Sequence, residues 1–237
     1  MSAPDIHLAL EDVQTFIGQY QILSGVSVSA PRCSITALLG RNGAGKTTTL
    51  KTIMGLTPPR RGNVRLDGQE LNGRRSYEIA ALGIGFVPDY RGIFRDLTVA
   101  ENLQIAERRQ GDFKRKSELI FDLFPDLRRL IGLRGQQLSG GQQQMLAIAR
   151  ALVPENKLLL IDEPSEGLAP VIIEHLIVAI RALARETTVV LVEQNFIVAR
   201  QLAERYVIIE SGRSVQTGAM ADLANDRDAV QRYLGAA

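Results

Sequence analysis

The sequence predicts an α/β fold: a mostly parallel sheet with helices on both faces, an antiparallel β region at the N-terminal side, and an inserted helical region. Three observations carry this prediction. An apolar, partly β-branched run at residues 34–39 leads through a glycine-rich turn into a segment where Leu50, Ile53 and Met54 recur at helical spacing. A second apolar run, 157–161, is followed by a segment whose Ile173, Leu176, Ile177, Ile180, Leu183 and Ala184 line one helical face. Between the two, residues 89–156 lack convincing strand patterns and carry helical ones.

In chain order, residues 8–16 and 26–29 show the short alternating or β-rich patterns of antiparallel strands, and 62–68 reads as a strand between glycine turns. Residues 83–87 read as a buried strand ended by Pro88. Helical spacing then recurs at 99–107, 116–123 and 145–152. After the run at 157–161 and its helix, 187–192 is the next buried strand and 206–209 another, turned at Ser211-Gly212. We expect one domain over 1–237, with a core formed by 1–88 and 157–237 and a helical subdomain at 89–156.

Composition narrows the function. Apolar content of 45% and charged content of 23% are those of a globular protein, and a net charge of +2 makes no case for nucleic acid as partner. No apolar run approaches the roughly 20 residues needed to span a bilayer. The first residues carry Asp5, Glu11 and Asp12 rather than a basic leader, so a cytosolic location is expected. The single Cys33 excludes an internal disulfide and a cysteine metal cluster, and His7 and His175 stand far apart in the chain. Arg60-Arg61, Arg74-Arg75, Arg108-Arg109 and Lys114-Arg115-Lys116 suit solvated faces or the neighbourhood of anionic lipid headgroups.

The turn after residue 39 reads Gly40-Arg41-Asn42-Gly43-Ala44-Gly45-Lys46-Thr47, with Thr48 next. It matches G-x-x-x-x-G-K-[ST] between a strand and a helix start, the context in which this spacing forms a phosphate cradle. Glycines let backbone N–H groups turn inward without a Cβ in the way. Those amides and the helix N-terminus offer positive partial charge to the β- and γ-phosphates of a nucleoside triphosphate. Lys46 adds a full charge, and the Thr47 hydroxyl suits Mg2+.

The run at 157–161 ends in Asp162-Glu163-Pro164, and 187–192 ends before Glu193-Gln194. Ligands of parallel sheets gather at the carboxyl ends of strands, so the Gly40 loop and both strand ends are expected at one edge. There Asp162 would hold Mg2+ through water, and Glu163 would take the proton of the attacking water. Two readings fit Gln194: a γ-phosphate sensor that does not titrate, or a cap for the helix that follows. Leu138-Ser139-Gly140-Gly141-Gln142 is a second glycine-rich turn at a helix start, and both an anion site and a plain serine N-cap fit it.

With the phosphate loop, residues 138–142 and the strand ending in Glu163 in this order, the chain resembles the nucleotide-binding subunits of ATP-binding cassette transporters over essentially its whole length. The resemblance implies a P-loop NTPase core and places the Ser139 turn on the γ-phosphate of ATP bound to a second ATPase subunit, homo- or heterodimeric. It also implies transmembrane permease subunits, a periplasmic or extracellular solute-binding protein, and a peripheral place on the cytoplasmic face of the membrane. Four departures are informative. Asp89 stands where the family has glutamine, Gln194 where it has a switch histidine, and Ser165-Glu166-Gly167-Leu168-Ala169-Pro170 where the loop commonly ends in aspartate. Ile17, between Phe16 and Tyr20, stands where an aromatic stacks on adenine. Together they resemble the smaller ATPase subunit of branched-chain amino-acid importers and their amide and urea relatives. A lipopolysaccharide-type exporter ATPase and a soluble non-transport cassette are the alternatives. Ile93 and Phe94 suit either a permease contact or the core.

Overall fold

A computed structural model describes residues 5–235 of the chain. The strands β1 (Ile6–Ile17) and β2 (Tyr20–Pro31) form an antiparallel hairpin. The strand β3 (Ile35–Leu39) then runs into the Gly40 loop and α1 (Lys46–Ile53). The strands β4 (Pro59–Leu66) and β5 (Gln69–Glu70) return to the hairpin, giving a four-stranded antiparallel sheet in the order β2-β1-β4-β5. A short α2 (Ser76–Ala81) leads to β6 (Ile84–Val87).

Between β6 and the next strand lie α3 (Val99–Gln104), α4 (Asp112–Leu123), α5 (Pro125–Arg129) and α6 (Gly140–Leu152). The helix expected over 99–107 stops early, at Gln104. Its continuation is diverted because the Asp112 carboxylate accepts the N–H groups of both Arg108 and Arg109, at 3.0 and 2.8 Å. Backbone bonds from Val99 and Ala100 to Leu133 and Ile131, and from Gly135 and Gln136 to Leu97 and Arg95, close this region on itself.

The chain then alternates: β7 (Leu158–Asp162), α7 (Pro170–Leu183), β8 (Thr188–Val192), α8 (Phe196–Leu202), β9 (Arg205–Glu210), β10 (Arg213–Ala219), α9 (Met220–Asn225) and α10 (Arg227–Leu234). The second sheet has the order β10-β9-β3-β8-β7-β6. All its pairings are parallel except that of β10 with β9. Every residue of β3, β7 and β8 is buried, as near-continuous apolar strands require when both faces of a sheet are covered. Alternation divides them between two cores. Ile35, Ala37, Leu39, Leu159, Ile161, Val189 and Leu191 join α3, α4, α6, α7 and α8. Leu38, Leu158, Leu160, Val190 and Val192 join α1 and the antiparallel sheet.

This strand order decides the position of the site. The strands β8, β3 and β9 are neighbours and β7 lies beside β8, so the loops after β3, β7 and β8 emerge side by side although far apart in sequence.

Candidate functional site

Two glycines of the Gly40 loop have no room for a side chain. Gly40 lies at φ 146°, and a Cβ there would sit 2.2 Å from the carbonyl oxygen of Ile209. Gly45, at φ 110°, is the N-cap of α1, and a Cβ there would meet Leu23 Cδ2 at 2.7 Å. No side chain caps α1, so its first N–H groups face the loop. Lys46 is 4% exposed, and its Nζ donates to the carbonyl oxygens of Gly40 and Arg41 at 2.9 and 3.2 Å. The same ammonium lies 3.6 Å from Glu163 Oε1. Arg41, Asn42 and Gly43 are exposed at the crest, Ala44 is buried, and Thr47 and Thr48 are half-buried at the helix start.

Asp162 closes β7 and is fully buried. Its Oδ1 accepts the Thr47 hydroxyl at 3.1 Å, while Oδ2 has no hydrogen-bond partner. Burial pushes its carboxyl up to about 6; the Thr47 bond opposes this, and the charges of Asp89 and Glu163 add to it. A buried carboxylate oxygen without a partner, beside a threonine hydroxyl and a phosphate-type loop, fits Mg2+, which takes one or two protein oxygens and fills its remaining positions with phosphate and water. Glu163 follows in the left-handed region, at φ 45°, held by the bond from its N–H to Val192 O at 2.9 Å. Such a conformation is sparsely populated for a residue with a Cβ and costs on the order of 1 kcal/mol or more.

The remaining candidates divide. Gln194 is exposed beside this edge, and the cap of α8 is Asn195, whose side chain accepts the N–H groups of Ile197 and Val198. The capping role considered for Gln194 therefore belongs to its neighbour. Asp89 is exposed and accepts the Tyr90 N–H at 2.9 Å. Ser139 caps α6 in a reciprocal box: its hydroxyl accepts the Gln142 N–H at 3.3 Å, and Gln142 Oε1 accepts the Ser139 N–H at 2.9 Å. Gly140 is exposed and Gly141 half-buried. Among the described residues no hydrogen bond or ion pair joins residues 138–142 to the Gly40 loop.

Phe16 has its ring covered by the Arg60 guanidinium at 4.2 Å, whereas Ile17 and Tyr20 are 50% and 67% exposed. Ile93 packs against the larger core. Phe94 is 45% exposed, with the Arg150 guanidinium 4.8 Å from its ring.

Sequence reasoning passed over Arg91, and it set Glu193 at the sheet edge without giving it a role. Arg91 lies against Gly140 and donates to Gln143 Oε1 at 3.4 Å, a contact between distant segments with no local signal. Glu193 is 2% exposed. It had a signal, since it closes an apolar strand as the Asp162-Glu163 pair does.

The assembled groups suit one chemistry: an uncapped helix start and an ammonium for phosphates, a carboxylate and a hydroxyl for a hard cation, and a second carboxylate for a proton. The comparisons with known proteins agree with this. The sequence model of the family described as "ABC transporter" matches residues 23–166, more than half of the chain. The high-affinity branched-chain amino acid transport ATP-binding protein BraG of Pseudomonas aeruginosa is 42% identical over 231 residues, covering 96% of this chain and 99% of its own. The lipopolysaccharide export system ATP-binding protein LptB of Haemophilus influenzae is 31% identical over 234 residues, covering 96% and 97%. Among solved structures, the ADP conformation of an ATP-binding cassette of an ABC transporter superposes with a TM-score of 0.84 over 98% of this chain and 99% of that one, at 22% identity, a likeness of fold.

Proposed function

The chain belongs to the ABC transporter family, and from that premise we propose how its parts work in an ATPase that powers import of branched-chain or related amino acids. The higher identity to the amino-acid importer subunit than to the lipopolysaccharide exporter subunit favours import over export. The single observation that carries the hydrolytic reading is the convergence of Lys46, Thr47, Asp162 and Glu163 at one sheet edge.

In this reading the Gly40 loop and the start of α1 hold the β- and γ-phosphates, and Lys46 exchanges its loop carbonyls for phosphate oxygens. Mg2+, when bound, would neutralise charge on those oxygens. Thr47 and Asp162 would hold it, with Asp89 nearby. Glu163 accepts a proton from water as its oxygen attacks the γ-phosphorus, and ADP leaves with the bridging oxygen. Gln194 senses the γ-phosphate through its amide, which donates and accepts without ionising. Ile17 or Tyr20 offers an uncovered face to the base.

The Ser139 turn does not reach the Gly40 loop within one chain, which supports its service to a second ATPase subunit in a head-to-tail dimer. From its family membership we place the ATPase with separate permease subunits at the cytoplasmic face; no helix among the described residues is long and apolar enough to cross a membrane. A solute-binding protein on the far side would deliver the amino acid. We assign residues 89–156 to the permease contact. Its meeting point lies around Tyr90 and Phe94, beside a cavity of about 280 Å³ lined by Asp89, Arg91, Ile93 and Gln143. Reconstitution with the permease subunits of a branched-chain amino-acid importer tests the proposal. ATP-dependent uptake of leucine is expected, and uptake that proceeds equally with Lys46→Ala would refute it.

A further inference from the structure

The end of β8 holds a second buried carboxylate that the hydrolytic reading leaves without a task. Glu193 Oε1 accepts three hydrogen bonds: from the Ser165 hydroxyl at 2.9 Å, the Gln194 N–H at 3.0 Å and the Asn195 N–H at 3.1 Å. Its Oε2 is buried without a partner. Burial pushes the carboxyl up and these donors oppose the shift, while the charge of Glu163 adds to it.

Two of the three bonds are local and shape the turn that carries Gln194. The third crosses to Ser165, two residues beyond Glu163 and itself only 6% exposed. Stabilising the turn alone would not need this side chain, because Asn195 already caps α8 with a shorter one. The length of glutamate serves the reach to Ser165. With the backbone bond from Glu163 to Val192, it makes two fastenings between the segment that holds Glu163 and the strand end that presents Gln194.

We propose that Glu193 is a positioning residue for ATP hydrolysis, holding Gln194 and the Glu163 segment in a common register through Ser165. The inference rests on the hydrolytic reading of Glu163 and Gln194. A buried carboxylate accepting several donors is a costly group to place beside two others unless its geometry is used.

Ser165→Ala cuts the crossing bond and leaves both bonds of the turn intact, so it isolates the coupling. In the full-length chain with Mg2+ and ATP, kcat is expected to fall about tenfold, the effect of one lost charge-assisted hydrogen bond on a transition state. KM, the affinity for a fluorescent ATP analogue and the melting temperature should stay near the parent's. Glu193→Gln, which keeps an acceptor oxygen, should recover most of the turnover lost in Glu193→Ala. In the Glu193→Ala background Ser165→Ala should cost nothing more. Parental kcat in Ser165→Ala, or losses that multiply in the double variant, would overturn the proposal. So would losses in kcat that merely follow melting temperature. An inactive parent would overturn the hydrolytic reading as well, a result distinct from an active parent with indifferent variants.

Discussion

The hydroxyl of Thr47 and Oδ1 of Asp162 lie 3.1 Å apart, so the first turn of α1 is pinned to the last residue of β7 across the sheet edge. The bond satisfies one oxygen of a fully buried carboxyl and leaves the other unpartnered. It does not prevent burial from raising the Asp162 carboxyl from 3.8 to about 6.

That shift makes Asp162 a liability to the nucleotide-free fold. The folded state favours the protonated form, so the group's stabilising contribution is complete below its ordinary pKa and is lost as pH rises through about 6. The shift of about two pH units corresponds to on the order of 3 kcal/mol. Asp162→Asn should therefore raise the melting temperature of the nucleotide-free protein by several degrees at pH 8 and change it little at pH 4. It should also abolish Mg2+-dependent hydrolysis. Melting curves across this range with an ATPase assay check both, and equal melting temperatures at pH 8 would sink the argument.

Glu163 combines a carboxylate at the phosphate edge with a left-handed backbone. Glu163→Gln should keep ATP binding and lower turnover by about 10²- to 10⁴-fold, the usual worth of a general base. Glu163→Gly should be as inactive yet as stable as the parent or more so, by about 1 kcal/mol, because glycine adopts this φ without strain. Denaturant unfolding distinguishes the two effects; a clear loss of stability in the glycine variant would mean that the backbone stores no strain.

Since Asn195 and not Gln194 caps α8, the two residues can be separated. Asn195→Ala should cost about 1 kcal/mol of stability, as lost N-caps do. Gln194→Leu should leave stability and nucleotide affinity near the parent's and cut hydrolysis. Gln194→His should retain hydrolysis and gain a pH dependence near 6.5, where imidazole titrates. Undiminished turnover in the leucine variant would place the γ-phosphate sensor elsewhere.

Ser139→Arg removes the α6 cap and sets bulk and charge at the turn. Stability should fall by about 1 kcal/mol, while ATP binding at the Lys46 loop persists. In a Glu163→Gln background, light scattering with ATP should show a dimer for Ser139 and a monomer for the arginine variant. A dimer in both would remove the Ser139 turn from the subunit interface.

Much of this protein was legible in local pattern. The glycine spacing at Gly40 and Gly45 reflects backbone geometry that each residue carries with it. The apolar runs that became β3, β7 and β8 could be read because strands buried on both faces must be apolar throughout. The carboxylates at the end of β7 were visible for the same reason, as charges that end an apolar run. Strand order, burial and cross-chain hydrogen bonds are sums over segments remote in sequence, and these only the tertiary structure decided. It set β7 beside β8 and β8 beside β3, which turned three loops into one edge. It buried Asp162 deeply enough to move its titration, and it gave the cap of α8 to Asn195 rather than Gln194. It also stretched Glu193 to Ser165, a contact across 28 positions for which no periodicity in the chain provides a signal, because the two strands that bring them together pair only once the sheet has formed.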